Sequence, residues 1–258
     1  MSKKGSLINV GIGMTLGAHM TPISRNYIEN ADVVFVAASD SLIEQWVMSM
    51  NKDVRSLQGY YQEGMSRMIT YRNVIHDIML EVRAGKKVCG AFYGHPGVFS
   101  WAPHELIKIA QAEGYKAHME PGVSAEDCLY VDLALDPGKV GCAHFEATQF
   151  MTNKRIYDSS AYLILWQIGI AGDKTLTLFS TDAKHRQVLV DLLLQKYPKD
   201  HSVILYECAV LPTQSPRIDR IALKDLAKQQ VSLKTTLVLP PFEKRKTNEE
   251  IIKQLEML

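Results

Sequence analysis

The chain lacks any long block of one charge sign. Its 29 lysines and arginines stand against 28 aspartates and glutamates across 258 residues. A nucleic-acid-binding face needs a concentrated positive field, so no polyanion partner is expected. Long apolar runs are also missing. The longest, Ala161 to Ala171, is interrupted by Gln167 and is too short to cross a bilayer, and the first residues carry no apolar core of a signal peptide. The expectation is therefore a soluble, cytoplasmic protein without a membrane partner. Cysteine is scarce: Cys89, Cys128, Cys142 and Cys208 lie far apart, without CxxC spacing or nearby histidine pairs. Neither a zinc site nor a redox dithiol is encoded, and no metal is expected. Each cysteine sits in or beside an apolar stretch and reads as a small buried hydrophobe. No internal repeat or low-complexity segment is present.

What the chain does have is alternation of strand and helix. Leu7 to Val10 reads as a buried strand, and Thr21-Pro22 opens a helix to about Asn30, with threonine as cap and proline in the first turn. A strand at Val33 to Ala37, a helix from Ser41 to about Met50 and a short extended piece at Val54 to Leu57 follow. A long helix from about Ser66 to Ala84 stops at Gly85, Lys87 to Phe92 is a strand, and a helix from about Pro103 stops at Gly114. Beyond Tyr115 to Met119, Ser124 and Asp127 are spaced to cap a helix from Ala125 to Leu135. The first half, residues 1–120, is expected to be a parallel, helix-covered α/β domain. The second, 121–258, carries strands near Tyr162 to Trp166, Val203 to Tyr206 and Thr236 to Leu239 and a helix around His185 to Lys196, and reads as mixed α/β.

The glycine loops carry the chemistry. Tyr93-Gly94-His95-Pro96-Gly97-Val98-Phe99 directly follows the apolar run Val88 to Phe92, at the strand end where open α/β sheets bind ligands. Gly11-Ile12-Gly13-Met14-Thr15-Leu16-Gly17 follows the first strand, but its third glycine is one position late for a dinucleotide fingerprint, and Asp32 precedes the second strand instead of ending it. The pattern GxxxxGK[ST] is absent. These loops suit a ligand with adenine, ribose and an amino-acid end but no phosphate, and S-adenosylmethionine is such a molecule.

Read together, Val10 to Gly13, Tyr93 to Phe99 and Glu120-Pro121-Gly122-Val123-Ser124-Ala125-Glu126-Asp127 resemble, in order and spacing, the tetrapyrrole methylase superfamily. More narrowly, Tyr60-Tyr61, Ser66-Arg67 and Thr70-Tyr71 ahead of the heptapeptide resemble the borosin peptide backbone α-N-methyltransferases, over about Ser6 to Pro241. The resemblance implies two α/β domains with an S-adenosylmethionine cleft between them and a tightly intertwined homodimer. It further implies that Tyr93, His95, Val98, Phe99, Ser124, Ala125 and Gln167 surround the cofactor, with Cys208, Thr235 and Thr236 as further contact positions, Cys208 through its backbone.

Methylating a backbone amide is difficult because the nitrogen lone pair is delocalised into the carbonyl. An enzyme can polarise the carbonyl, offer a base to the N–H and hold both reactants in line. Arg67 and Tyr71 are four apart on the long helix and so share a face, with Tyr61 just before it and Tyr93 at the strand end. From spacing alone an exposed helix pair reads the same way; with the family pattern, these four become the catalytic set. The expectation is that the Arg67 guanidinium lowers the Tyr71 phenol pKa, that Tyr71 receives the amide proton, and that Tyr93 and Tyr61 hold the peptide carbonyl. Which phenol is the base stays open.

Phe242 to Leu258 is charged and helix-like, with no apolar core peptide after it. The expectation is a split arrangement in which a separate precursor peptide or small protein supplies the substrate, two precursors to each dimer. Two alternatives stand beside it: a tetrapyrrole C-methyltransferase, against which the Tyr61, Arg67, Tyr71 set argues, and a non-catalytic S-adenosylmethionine-binding subunit that holds a peptide.

Overall fold

A computed structural model describes residues 4–258. They gather into two compact units: the described residues up to 135 with 173–181 and 206–218, and 136–172 with 182–205 and 219–258. Residues 121–135 thus group with the first unit, a different grouping from the expected division at residue 120.

The first unit is built on strands β1 (Ser6–Gly11), β2 (Val33–Ala37), β3 (Val54–Ser56), β4 (Lys87–Phe92) and β5 (Lys116–Glu120), in the order β3-β2-β4-β1-β5. All four neighbouring pairs are parallel. Its helices are α1 (Pro22–Glu29), α2 (Ser41–Met48), α3 (Arg67–Arg83), α4 (Trp101–Ala112) and α5 (Ala125–Asp132). Why β2 reads as a continuous apolar run follows from the two faces it serves. Val33 and Phe35 pack with Val74, Ile78 and Leu106 of α3 and α4, while Val34 and Val36 pack with Ile28, Ile43 and Val47 of α1 and α2. A strand covered on both faces needs apolar residues at every position. Burial on that scale stabilises by roughly 25 cal/mol per Å² of apolar surface removed from water.

Local signals set the helix starts. Thr21 accepts a hydrogen bond from the Ser24 N–H at 3.1 Å with Pro22 in the first turn, and Asp40 accepts from the Leu42 N–H at 2.8 Å. Helix α4 begins at Trp101, two residues before the expected Pro103, because proline is tolerated within a first turn where no intrahelical N–H bond is lost.

The second unit contains the short helix α6 (Pro137–Val140), β6 (Cys142–Glu146), α7 (Ala147–Thr152), β7 (Tyr162–Trp166), α8 (Ala183–Leu193), β10 (Thr236–Leu239) and α9 (Glu249–Glu256). Its sheet has the order β6-β7-β10-β8-β9, with β8 at Ser202–Glu207 and β9 at Arg217–Ala222. Strands β6 and β7 are parallel, β7 and β10 antiparallel, so the sheet is mixed. Leu163, Leu165, Leu189, Leu193, Leu205 and Leu237 anchor its core. Two of its strands, β6 and β9, escaped the sequence reading; β9 has the polar sequence RIDRIA, with no apolar run to find. Among the described residues, no helix is long and apolar enough to cross a membrane.

Candidate active site

Three loops leave the carboxyl ends of β1, β4 and β5 and meet backbone to backbone. The Gly94 N–H donates to the Gly13 carbonyl at 2.9 Å, and the Gly13 N–H donates to the Gly94 carbonyl at 3.2 Å. A Cβ on Gly11 would lie 2.5 Å from the Gly94 oxygen and 2.6 Å from the Gly122 Cα, so only glycines allow the approach. Chain order places this floor where the sheet's winding changes direction: α1 and α2 cover one face, α3 and α4 the other.

The expected cofactor residues of the first unit sit on this floor. Tyr93 is held by its N–H donating to the Ala37 carbonyl at 2.9 Å, and the His95 Nδ1 accepts from the Gly97 N–H at 2.9 Å. His95 and Val98 are half-buried, and Phe99 is exposed with φ of 48°, a left-handed value that marks a constrained loop. Ser124 is buried and caps α5. Its hydroxyl accepts from the Asp127 N–H at 3.2 Å while its own N–H donates to the Asp127 carboxylate at 2.7 Å, so Ser124 and Ala125 offer a ligand mainly a fixed helix start. The residues after Cys208 reach the loop that follows β1: the Thr15 hydroxyl donates to the Ala209 carbonyl at 2.9 Å, and the Leu16 N–H to the Val210 carbonyl at 2.9 Å. The Cys208 thiol donates to the Ala209 carbonyl at 3.3 Å, and its hydrogen bond with Cys128 is the main cause that pushes the Cys128 thiol up. All four cysteines are free; Cys89 and Cys128 are buried, whereas Cys142 and Cys208 are only partly so.

These loops carry no lysine or arginine, which suits a ligand without phosphate. Their glycines put no side chain between the backbone and a ligand, which allows the close approach an adenosyl and amino-acid ligand requires. The residues present therefore fit S-adenosylmethionine. Among the described residues, no group of three or more His, Cys, Asp or Glu is arranged to hold a metal.

Tyr61, Arg67, Tyr71 and Tyr93 converge beside this floor. The Tyr61 and Tyr71 rings meet edge to face at 6.4 Å, and Tyr71 lies 6.0 Å from the ring of Trp101. Local structure explains the placement: the Thr70 hydroxyl donates to the Tyr60 carbonyl at 2.9 Å, and the Tyr60 hydroxyl to Asp77, which pins the tyrosine pair along α3. Arg67 opens α3, one turn before Tyr71.

The electrostatics correct one expectation. Desolvation raises the Tyr71 phenol and outweighs the opposing pull of Arg67, so its pKa lies above the ordinary value of 10, not below it. Desolvation likewise raises Tyr61, with Tyr71 and Tyr93 adding to it and Arg67 opposing. Tyr93 is raised by desolvation and then by Tyr71. Tyr61 is 37% exposed and Tyr93 50% exposed, so water still reaches both and their shifts weigh less than that of the half-buried Tyr71.

The sequence reading missed two participants. The Trp101 ring lies tilted beside Tyr71, and Asp173 forms an ion pair with Arg67 at 3.6 Å. Asp173 follows Gly172 in what reads as an ordinary turn, and nothing local points to a partner more than 100 residues away. A hollow of about 340 Å³ opens between α3 and α4, lined by Arg72, His76, Arg83, Trp101 and Glu105 among others.

Gln167, Thr235 and Thr236 belong to the second unit, where they lie near one another. Gln167 is left-handed with φ of 59°, and the Ile168 N–H donates to the Thr235 carbonyl at 3.1 Å. Thr235 and Thr236 are buried.

Residues 6–255 match the family described as Tetrapyrrole (Corrin/Porphyrin) Methylases. The chain is 39% identical over 261 residues to the methyltransferase/ribosomally synthesized cyclic peptide dendrothelin A precursor of Dendrothele bispora, covering 100% of this chain and 63% of that protein. It is 39% identical over 265 residues to a methyltransferase/ribosomally synthesized type I borosin cyclic peptide precursor of Coprinopsis marcescibilis, covering 99% of this chain and 68% of the relative. The fold is similar to that of uroporphyrin-III-C-methyltransferase from Thermus thermophilus, with a TM-score of 0.62, 19% identity and 92% and 93% of the two chains covered.

Proposed function

Because the chain belongs to the tetrapyrrole methylase family, we propose that it methylates backbone amide nitrogens of a ribosomal precursor peptide with S-adenosylmethionine. The observation that carries this reading is the convergence of three tyrosines and Arg67 beside the glycine floor. The names of the relatives, both methyltransferases joined to ribosomally synthesized cyclic peptide precursors and one of them called a borosin, support the substrate class, and a tetrapyrrole carbon would not need such a set.

What the bound cofactor supplies is an electrophilic methyl group on a sulfonium centre, with S-adenosylhomocysteine as product. Tyr93, His95, Val98, Phe99, Ser124 and Ala125, with Cys208, Gln167, Thr235 and Thr236, are the residues we assign to hold it. Phenols raised above 10 are protonated at neutral pH and so act first as donors. Tyr61 and Tyr93 donate to the peptide carbonyl and draw its electrons toward oxygen, which weakens the amide N–H. Arg67 stabilises the negative charge on Tyr71 in the small ionised fraction, and that phenolate takes the amide proton as the methyl is transferred, becoming a neutral phenol that returns the proton to solvent.

Presentation of the peptide by a separate precursor, on a homodimer that binds two of them, belongs to the same reading. The exposed apolar side chains of Tyr93, Phe99 and Trp101 next to the site support a surface made to be covered. The deciding experiment incubates the chain with S-adenosylmethionine and a separate precursor peptide, then locates added methyls by fragmentation mass spectrometry. Methyls on backbone nitrogens are the expected result. Transfer only to a porphyrinoid, or cofactor binding without turnover, would overturn it.

A further inference from the structure

We propose that Asp173 positions Arg67, fixing both its guanidinium and the backbone from which it projects. The geometry stands on its own; its consequence for catalysis rests on the methyl-transfer reading.

The Asp173 side chain is 1% exposed and that of Arg67 15%, with Nη2 and Oδ2 3.6 Å apart. A carboxylate so removed from water persists as an anion only when its oxygens are satisfied and a countercharge is near. Both conditions hold. Oδ1 accepts from the Thr175 N–H at 2.9 Å, the Thr175 hydroxyl at 2.6 Å and the Leu176 N–H at 3.1 Å. Oδ2 accepts from the Leu178 N–H at 3.0 Å and faces Arg67. Desolvation pushes the Asp173 carboxyl up, yet these hydrogen bonds and Arg67 together hold it below the ordinary carboxylate range.

The same carboxylate shapes the loop that receives the start of α3. Leu176 is left-handed, with φ of 59°, and its carbonyl accepts the Arg67 N–H at 2.8 Å. The Gly64 N–H donates to the Thr177 carbonyl at 3.0 Å. Helix starts leave N–H groups without intrahelical partners, and here the loop built around Asp173 satisfies that of Arg67. Among the described residues Asp173 is the ion-pair partner of the guanidinium, and it is engaged through Nη2. A long side chain with many rotamers is thereby reduced to one orientation, leaving further N–H donors for a bound peptide or a phenol.

The test uses the full chain with isotope-labelled arginine, the Arg67 signal being identified by its loss in Arg67→Lys. In the unaltered protein the Arg67 guanidinium nitrogens should give separate signals from restricted rotation, and in Asp173→Asn they should average. Thr175→Val, which removes the hydroxyl's two loop hydrogen bonds, to Asp173 and to Thr177, but no charge, should leave them separate. In the methylation assay Asp173→Asn should lower kcat by roughly 10- to 100-fold, the range a misplaced group costs, with the KM for peptide changed by less than about 3-fold. Asp173→Glu should recover part of that loss, and in an Arg67→Lys background Asp173→Asn should add less than about 2-fold, because coupled residues are not additive. An Arg67 signal unchanged in Asp173→Asn overturns the inference. An unaltered chain that methylates no peptide defeats the methyl-transfer reading instead, while the arginine signals still decide the role of Asp173.

Discussion

At the scale of residues, Tyr71 is subject to two opposing influences, desolvation that favours the neutral phenol and Arg67 that favours the phenolate, and desolvation wins. A phenolate is therefore only a small fraction near neutrality, and on the proposed reading that fraction limits how fast the amide proton is removed. Turnover should rise steadily from pH 7 to above 9, because the ionised fraction of a phenol with pKa above 10 keeps growing over that window. A rate profile that levels off below pH 9 would contradict a phenol as proton acceptor. Arg67→Ala should push the Tyr71 phenol further up, visible as a later rise in tyrosinate absorbance. Both Arg67→Ala and Tyr71→Phe should slow transfer by at least about 100-fold, the usual weight of a general acid–base group, while cofactor affinity measured by calorimetry stays within about 3-fold.

At the scale of elements, the carboxyl ends of β1, β4 and β5 act as one unit because their glycines touch. A Cβ on Gly122 would collide with the Gly94 oxygen and the Gly11 Cα, both backbone atoms that cannot swing aside. Gly122→Ala should cost about 1–3 kcal/mol of stability in denaturant unfolding, the range for overpacking, and should weaken cofactor binding more than a substitution on the exposed helix α9. Equal cofactor affinity in Gly122→Ala and the unaltered protein would show that the floor is not the binding surface. The capping box of Ser124 and Asp127 was legible as a four-residue spacing, and so was the strand that ends at Phe92. β9 was not, since its stability comes from pairing in a sheet and not from its own apolar pattern.

At the scale of the whole molecule, charge is nearly balanced, and several large apolar side chains near the site are exposed, Tyr93, Phe99 and Trp101 among them. Repulsion does little to oppose self-association in such a chain. Sedimentation velocity at micromolar concentration should give twice the 29.0 kDa chain mass, and a single species of chain mass would count against the homodimer.

Sequence by itself determined what depends on neighbours along the chain. Apolar periodicity, caps and glycine stops located nearly every element of the parallel sheet, and the glycine loops with Tyr61, Arg67, Tyr71 and Tyr93 marked the candidate site. Only the tertiary structure decided how those groups act on one another. The direction of the Tyr71 shift depends on how much water packing removes, and the role of Asp173 depends on a loop from residues 173–178 folding back onto residue 67. Burial and long-range pairing are properties of the folded chain, and no local pattern encodes them.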